Sequence, residues 1–204
     1  MSEAGVPEGL DRDFLREAIR KEYRVVAENP RQGFHFHTGR NLAKIVLYEE
    51  AWLEDVPAQV LACFAGTGNP FSIGTLAAGQ CVVDLGCGAG IDSFIAANQV
   101  GKSGAVKGID MTEEMLAKAT AALDEQDLPQ LSFHHGFLEE LPVEDGWADV
   151  VISNGVLNLC PDKLATYREI FRVVKPGGRL QIADIMVHKA VPESAKKKID
   201  LWTG

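Results

Sequence analysis

Apolar positions along the chain follow two different rhythms. From Asp11 to Asn29, Phe14, Leu15, Ala18, Ile19, Tyr23 and Val26 recur at helical spacing, with Asp11 as N-cap and Pro30 just past the end. Further helical stretches are predicted from about Asn41 to Glu50 and from Pro57 to Phe64. Residues 1–10 read as a frayed arm, and Gly66-Thr67-Gly68-Asn69-Pro70 with Gly74 as a loop. From Gln80 onward short apolar runs alternate with helical ones. Cys81–Leu85, Ala105–Ile109, Leu131–His135, Ala148–Ser153 and Arg179–Asp184 predict strands. Ile91–Val100, a stretch capped by Thr112 that carries Met115, Leu116, Ala119 and Leu123, and Asp162–Val174 predict the helices between them; Lys175-Pro176-Gly177-Gly178 breaks the last one.

Strands alternating with helices imply a parallel sheet covered on both faces, with right-handed crossovers. The expected fold class is α/β: a Rossmann-like, doubly wound parallel sheet of about five strands. Residues 1–75 should form a helical N-terminal cover and residues 76–204 the core. Composition narrows the function more than the fold. The formal net charge is −9, with 29 Asp+Glu against 20 Lys+Arg, which argues against nucleic acid or an anionic membrane as partner. No stretch approaches the ~20 apolar residues of a membrane span, and Met1-Ser2-Glu3-Ala4-Gly5 does not begin a secretory signal. Cys63, Cys81, Cys87 and Cys160 form no Cys-x-x-Cys pair, so no zinc knuckle or dithiol redox centre is expected. A cytoplasmic protein acting on a small molecule is the default expectation.

Glycine supplies 20 of the 204 residues, and its clusters locate the chemistry. A strand, a Gly-rich turn and a helix N-terminus make a site where backbone N–H groups meet a ligand closely. Three ligands compete for Gly86-Cys87-Gly88-Ala89-Gly90. A phosphate-binding P-loop is excluded, because Gly101-Lys102-Ser103 follows a helix and Ala96 stands at its first glycine position. The dinucleotide fingerprint fails at its sixth position, which is Ile91. S-adenosylmethionine fits better. Asp84 at the end of the first strand can favour the amino group, and bare Gly86-Cys87-Gly88 backbone can pass the methionine portion. Asp110, 20 residues after Gly90, is placed to accept from the ribose hydroxyls. Gly136-Phe137-Leu138-Glu139 should border the adenine, and Ser153 and Asn154 should face the methyl-transfer site. A plain tight turn would explain the glycines alone, but not Asp84 and Asp110 at these distances.

Val83-Asp84-Leu85-Gly86-Cys87-Gly88-Ala89-Gly90 with Gly108-Ile109-Asp110-Met111-Thr112 resembles the class I S-adenosylmethionine-dependent methyltransferases. Ile91-Asp92-Ser93, Ile152-Ser153-Asn154, Leu157-Asn158-Leu159, Pro161-Asp162-Lys163 and Lys175-Pro176-Gly177-Gly178-Arg179 are similar to the arsenite methyltransferases among them. The resemblance covers about residues 60–204 and adds Met111 to the expected cofactor contacts. It implies methyl transfer to a small, soft acceptor, with As(III) held by thiolates. The chain departs from that pattern where the thiols should be. Gly155 follows Ser153-Asn154 where the family has Cys, Thr67 stands between Gly66 and Gly68 where the family has another, and the third would fall just beyond Gly204. Cys63 and Cys160 lie a few residues from the first two positions; buried cysteines are more often inert filling. Phe137 also replaces an adenine-binding acid, with Glu139 two residues on. By this resemblance the cofactor site carries over and the arsenic site does not. The class also follows its fifth strand with a helix and two strands, one antiparallel, for which Ile185–Gly204, helical in pattern from Pro192 to Trp202, is too short. Five parallel strands with one exposed edge are expected, the edge covered by a second copy or by the N-terminal segment; the sequence is then a fragment or a shortened homologue.

Other residues carry weaker signals. His35 and His37 share a face of an extended segment, a cover or solvated loop rather than a metal pair. His134 and His135 should point to opposite faces of their strand. Asp184 is either a pocket residue or a loop start, and Lys196–Lys198 is a solvated face. No catalytic residue is identified, because displacement at a sulfonium needs mainly alignment. Two other readings stay open: methylation of a quinol or amine, and cofactor binding without turnover.

Overall fold

The computed structural model describes residues 11–30, 32–34, 36–186 and 188. The expectations for residues 1–10, His35 and the helical pattern from Pro192 to Trp202 fall outside them. Helix α1 spans Arg12–Glu28, and Asp11 caps it by accepting from the Asp13 amide. Its buried stripe is Leu15, Ile19, Val26 and Ala27, while Phe14, one of the predicted apolar positions, is 60% exposed. Three short helices follow: α2 (Gly39–Ile45), α3 (Glu50–Glu54) and α4 (Ala58–Ala62). The predicted continuous helix from Asn41 to Glu50 is therefore interrupted. Leu47 adopts φ 65°, and Asn69 Nδ2 donates to its carbonyl (2.9 Å). This strained turn drops Tyr48 into the interior, where its ring packs edge-on against Phe64 and Phe71.

The core alternates strands and helices as the pattern demands: β1 (Cys81–Leu85), α5 (Ile91–Val100), β2 (Ala105–Asp110), α6 (Glu113–Leu123), β3 (Leu131–His135), β4 (Ala148–Asn154), α7 (Lys163–Val173) and β5 (Val174–Ala183). All four strand pairings are parallel, in the order β3-β2-β1-β4-β5. Chain order reverses between β1 and β4, the switch point where open α/β sheets bind ligands. The predicted break at Lys175–Gly178 becomes a register irregularity: Ala148 faces Val174, yet Val150 already faces Arg179. Helix α7 stops at Val173, just before it.

Side-chain alternation sorts the sheet into two cores. Val82, Val106, Val150 and Ile152 join Phe94, Ile95 and Ala96 of α5 with Ala43, Leu53 and Leu61 of the N-terminal helices. Val83, Leu85, Ile109 and Val151 pack on the other face with Ile170 and Val173 of α7. Helix α1 instead crosses above the strand ends, where Leu15 and Ile19 meet Leu159 and Met111. Residues 70–75 reach β5 through Gln181, whose Nε2 donates to the carbonyls of Pro70 (2.9 Å) and Gly74 (2.7 Å). On the outer face of α7, Leu164, Tyr167 and Phe171 are exposed, as is Leu180 of β5. Among the described residues no helix is long and apolar enough to cross a membrane.

Phe94 is the largest fully buried side chain and packs 5.9 Å, centroid to centroid, from Phe133. Phe94→Ala should cost about 3–5 kcal/mol of stability in urea unfolding, because α5 is pinned by its neighbours and cannot collapse into the gap.

Candidate functional site

A cleft of about 1020 Å³, part of it open to solvent, lies above the C-terminal ends of β1, β2 and β4. Helix α1 closes one side of it with Arg16, Ile19 and Tyr23, and the segment after α4 another with Phe64 and Gly66. Of the residues expected to hold the cofactor, Asp84, Gly86, Cys87, Gly88, Gly90, Asp110, Met111, Phe137, Leu138, Glu139 and Asn154 line the cleft. Ser153 does not. Strand alternation turns it away, and its hydroxyl is fully buried without a partner among the described residues.

The turn after β1 passes through positive φ at Gly86, Gly88 and Gly90. At Gly88 (φ 54°) a Cβ would meet nothing within 4 Å, so the glycine leaves free room on the cleft side, where backbone can approach a ligand. Asp110 organises this turn from the neighbouring strand. Its carboxylate accepts from the Gly88 amide (2.8 Å) and the Thr112 amide (2.8 Å). The Cys87 amide donates to the Ile109 carbonyl (3.0 Å), completing the tie between the turn and β2.

Three carboxylates share the cleft: Asp84 and Asp92 are buried and Asp110 is half-buried. Asp84 is held by Ser93, whose hydroxyl donates to it (2.6 Å). Asp92, in the first turn of α5, accepts from the Tyr48 hydroxyl and from Asn154 Nδ2 (3.1 Å). Burial raises all three acids above the ordinary carboxylate range, Asp92 to about 6, and the charge of Asp92 adds to the effect on Asp84. Among the described residues Arg16 is the one basic side chain that lines the cleft, and it pairs with Glu139 rather than with these acids. Burial also raises the thiols of Cys63, Cys87 and Cys160, the last to about 11. These three line the cleft as neutral thiols, each turned to a backbone carbonyl.

Asn154 joins the two halves of the chain. Its Oδ1 accepts from the amides of Thr67 (2.9 Å) and Gly68 (3.0 Å), and its Nδ2 donates to Tyr48, Asp92 and the Gly68 carbonyl (2.9 Å). Thr67 is thereby brought onto Gly155: a Cβ added there would lie 2.8 Å from Thr67 Cγ2. The two positions where thiols were expected by resemblance meet in space, and neither carries sulfur.

Asp92, Tyr48 and Arg16 were not read as site residues. Asp92 carries a legible signal, an acid two residues past the last glycine of the turn. Tyr48, from the turn between α2 and α3, and Arg16, from α1, lie far away in sequence and carry none. The histidines have local roles: His134 Nε2 is 2.9 Å from Ser132 Oγ, and His135 Nε2 is 3.2 Å from the Met111 carbonyl. Asp184 accepts from the Asn158 amide (3.1 Å) and is not part of the cleft wall. Among the described residues no group of three or more His, Cys, Asp or Glu side chains could hold a metal.

Comparison with known proteins agrees with this geometry. Residues 76–203 match the family model of the methyltransferase domain. An arsenite methyltransferase of Halobacterium salinarum is 42% identical over 139 residues, covering 68% of this chain and 36% of that protein. A demethylmenaquinone methyltransferase of Lactococcus lactis is 43% identical over 102 residues, or 50% of this chain and 40% of that one. The crystal structure of an arsenic(III) S-adenosylmethionine methyltransferase from Chlamydomonas reinhardtii superposes with a TM-score of 0.66 at 38% identity, covering 72% of this chain and 51% of that one. The chain thus spans less than half the length of these curated relatives. With its glycine turn between β1 and α5 and its acid-lined cleft at the switch point of a parallel sheet, it belongs to the methyltransferase domain family and has the fold of the S-adenosylmethionine-dependent methyltransferases.

Proposed function

We propose that the chain binds S-adenosylmethionine in this cleft and transfers its methyl group to a small acceptor, in the manner of the arsenite methyltransferases it resembles but without their thiols. The observation that carries the reading is the buried pair Asp84 and Asp92 with half-buried Asp110 beside them, faced among the described residues by a single basic side chain, Arg16, that pairs elsewhere, next to backbone left bare at Gly88. Such a site is costly when empty of positive charge, and S-adenosylmethionine brings an ammonium and a sulfonium. When bound, it supplies a methyl carbon on positively charged sulfur, whose transfer leaves a neutral thioether.

The chain's own residues divide the remaining work. Asp84 lies where an ammonium is favoured. Asp110, already fixed by two amides, keeps lone pairs for the ribose hydroxyls. Residues 136–139 border the base. Asn154 holds the Thr67–Gly68 loop as the wall facing the acceptor, and α1 excludes water from above. In this division residues 1–75 act as cover and residues 76–204 as the cofactor-binding core. A net charge of −9 fits a small acceptor rather than a polyanion; we place the work in the cytoplasm, with a second copy of the chain as the partner that would cover a sheet edge.

S-adenosylmethionine or S-adenosylhomocysteine should raise the melting temperature, while NAD should not; no shift at millimolar ligand removes the reading. Asp110→Ala should weaken binding by roughly 1–3 kcal/mol in calorimetry, the cost of orphaned hydroxyl groups.

The carboxylates also set a pH dependence. Their folded-state pKa values lie above the unfolded ones, so the folded chain keeps protons that the unfolded chain has released. For Asp92, stability of the ligand-free protein is then fullest below about pH 4 and is lost as pH rises toward 6; Asp84 and Asp110 shift in the same direction. For Asp92 that loss is on the order of 2–3 kcal/mol, and Asp92→Asn should flatten the fall in unfolding free energy between pH 4 and 7. An unaltered profile would assign the titration elsewhere.

Arsenite methylation should be absent or very slow, since neutral, buried Cys63 and Cys160 are poor substitutes for thiolates at Thr67 and Gly155. A radiolabelled methyl-transfer screen over thiol-bound arsenite, quinols and small amines decides the acceptor. Robust methylarsenite formation, abolished by Cys63→Ser or Cys160→Ser, would overturn the prediction.

A further inference from the structure

The seam between α1 and the cleft contains a donor and an acceptor that the protein leaves unsatisfied. Arg16 Nη2 pairs with Glu139 Oε2 at 3.2 Å, yet Arg16 Nε and Glu139 Oε1 are both buried without a hydrogen-bond partner. The same guanidinium lies 4.3 Å from the centroid of the Phe137 ring. All three residues line the cleft, and Arg16 is the one basic residue among the described residues that does so. Arg16 comes from the helix that crosses above the site; Phe137 and Glu139 come from the segment after β3, where the base of the cofactor is expected.

Burying polar atoms unpaired is unfavourable, so the closed position of α1 is incomplete as the protein alone makes it. Orphaned N–H and carboxylate oxygen beside an aromatic ring complement one kind of ligand edge. That edge carries an amino donor next to a ring-nitrogen acceptor on a flat heterocycle. Adenine presents this pair at its amino group and N1. Hypoxanthine inverts it, with a carbonyl in place of the amino group and a protonated N1.

We propose that Arg16 is a specificity-determining residue which, with Glu139 and Phe137, reads the nucleobase of the cofactor and fastens α1 over it. Glu139 Oε1 accepts from the amino group and Arg16 Nε donates to the neighbouring ring nitrogen. Helix α1 is also attached elsewhere, by Arg12 to Asp162 (3.0 Å), by Arg24 to Glu114 (2.5 Å), by Leu15 and Ile19 on Leu159, and by Val26 and Ala27 in the core. The proposal rests on the cofactor reading above and adds to it a residue from outside the matched domain.

The test is calorimetric titration of the full chain with S-adenosylhomocysteine and with its inosine counterpart, alongside hydrogen–deuterium exchange of α1. The wild-type chain should prefer the adenosyl ligand by at least about tenfold, and that ligand alone should slow exchange along α1. Arg16→Ala should erase most of this preference, and Glu139→Gln, whose amide can donate to a carbonyl, should shift it toward the inosyl ligand. Suppose instead that Arg16→Ala weakens both ligands equally and keeps their ratio. Arg16 then only props the helix, and the proposal fails while the cofactor reading stands. Wild-type discrimination unchanged in Glu139→Gln would also overturn it, independently of whether Arg16→Ala folds. Binding of neither ligand by the wild-type chain would remove the cofactor reading itself.

Discussion

Everything around the cleft answers to one electrostatic constraint: Asp84 and Asp92 are buried and Asp110 half-buried beside them, and among the described residues the one basic side chain lining the cleft, Arg16, pairs with Glu139 instead. Burial of that kind is tolerated only where hydrogen bonds replace some of the lost hydration. The fold supplies them from different directions. Ser93 serves Asp84 from α5, Tyr48 and Asn154 serve Asp92 from α3's approach and β4, and two backbone amides serve Asp110. What remains unbalanced is charge rather than hydrogen bonding. A site so arranged discriminates by the sign of what enters it before it discriminates by shape.

Much of this was legible because parallel βα units impose their periodicity locally. Every strand from β1 to β5 was located to within a few residues except the start of β5, whose first residues are hydrogen-bonded across a break that Lys175-Pro176-Gly177-Gly178 had marked as a loop. The acids of the cleft were visible for the same reason. Asp84 and Asp110 sit at fixed distances from a glycine turn that only certain ligands require. The N-terminal third was harder. Its helices are short, and Leu47 adopts a positive φ that a β-region or helical reading would not assign. The consequence of that turn, Tyr48 reaching Asp92, spans 44 residues and has no local signature. Ser153 shows the opposite limit. Its position at a strand tip was read correctly, but side-chain parity there was not, and Asn154 takes the cleft side.

The chain's relation to the arsenite methyltransferases it is similar to is one of shared fold. Identity with the Halobacterium protein is 42% over 139 residues. The thiols that do line the cleft are held neutral by burial, and their hydrogens are turned to carbonyls of Val26, Gly88 and Val156. Soft-metal binding would require each to lose a proton against the cost of burial, to which carboxylates add at Cys87 and Cys160 while Lys118 eases it at Cys63.

The clamp at Asn154 also constrains how such a site can change over generations. Thr67 and Gly155 are pressed together, with φ 72° at Gly155 and a Cβ there only 2.8 Å from the Thr67 methyl. A side chain gained at 155 is therefore obstructed while threonine remains at 67, and it is strained by the backbone in any case. The two positions are epistatic, and their effects should not add. A gain of bulk at 155 is thus tolerated more readily once the side chain at 67 has become smaller or the loop has shifted, so the order of the two changes matters.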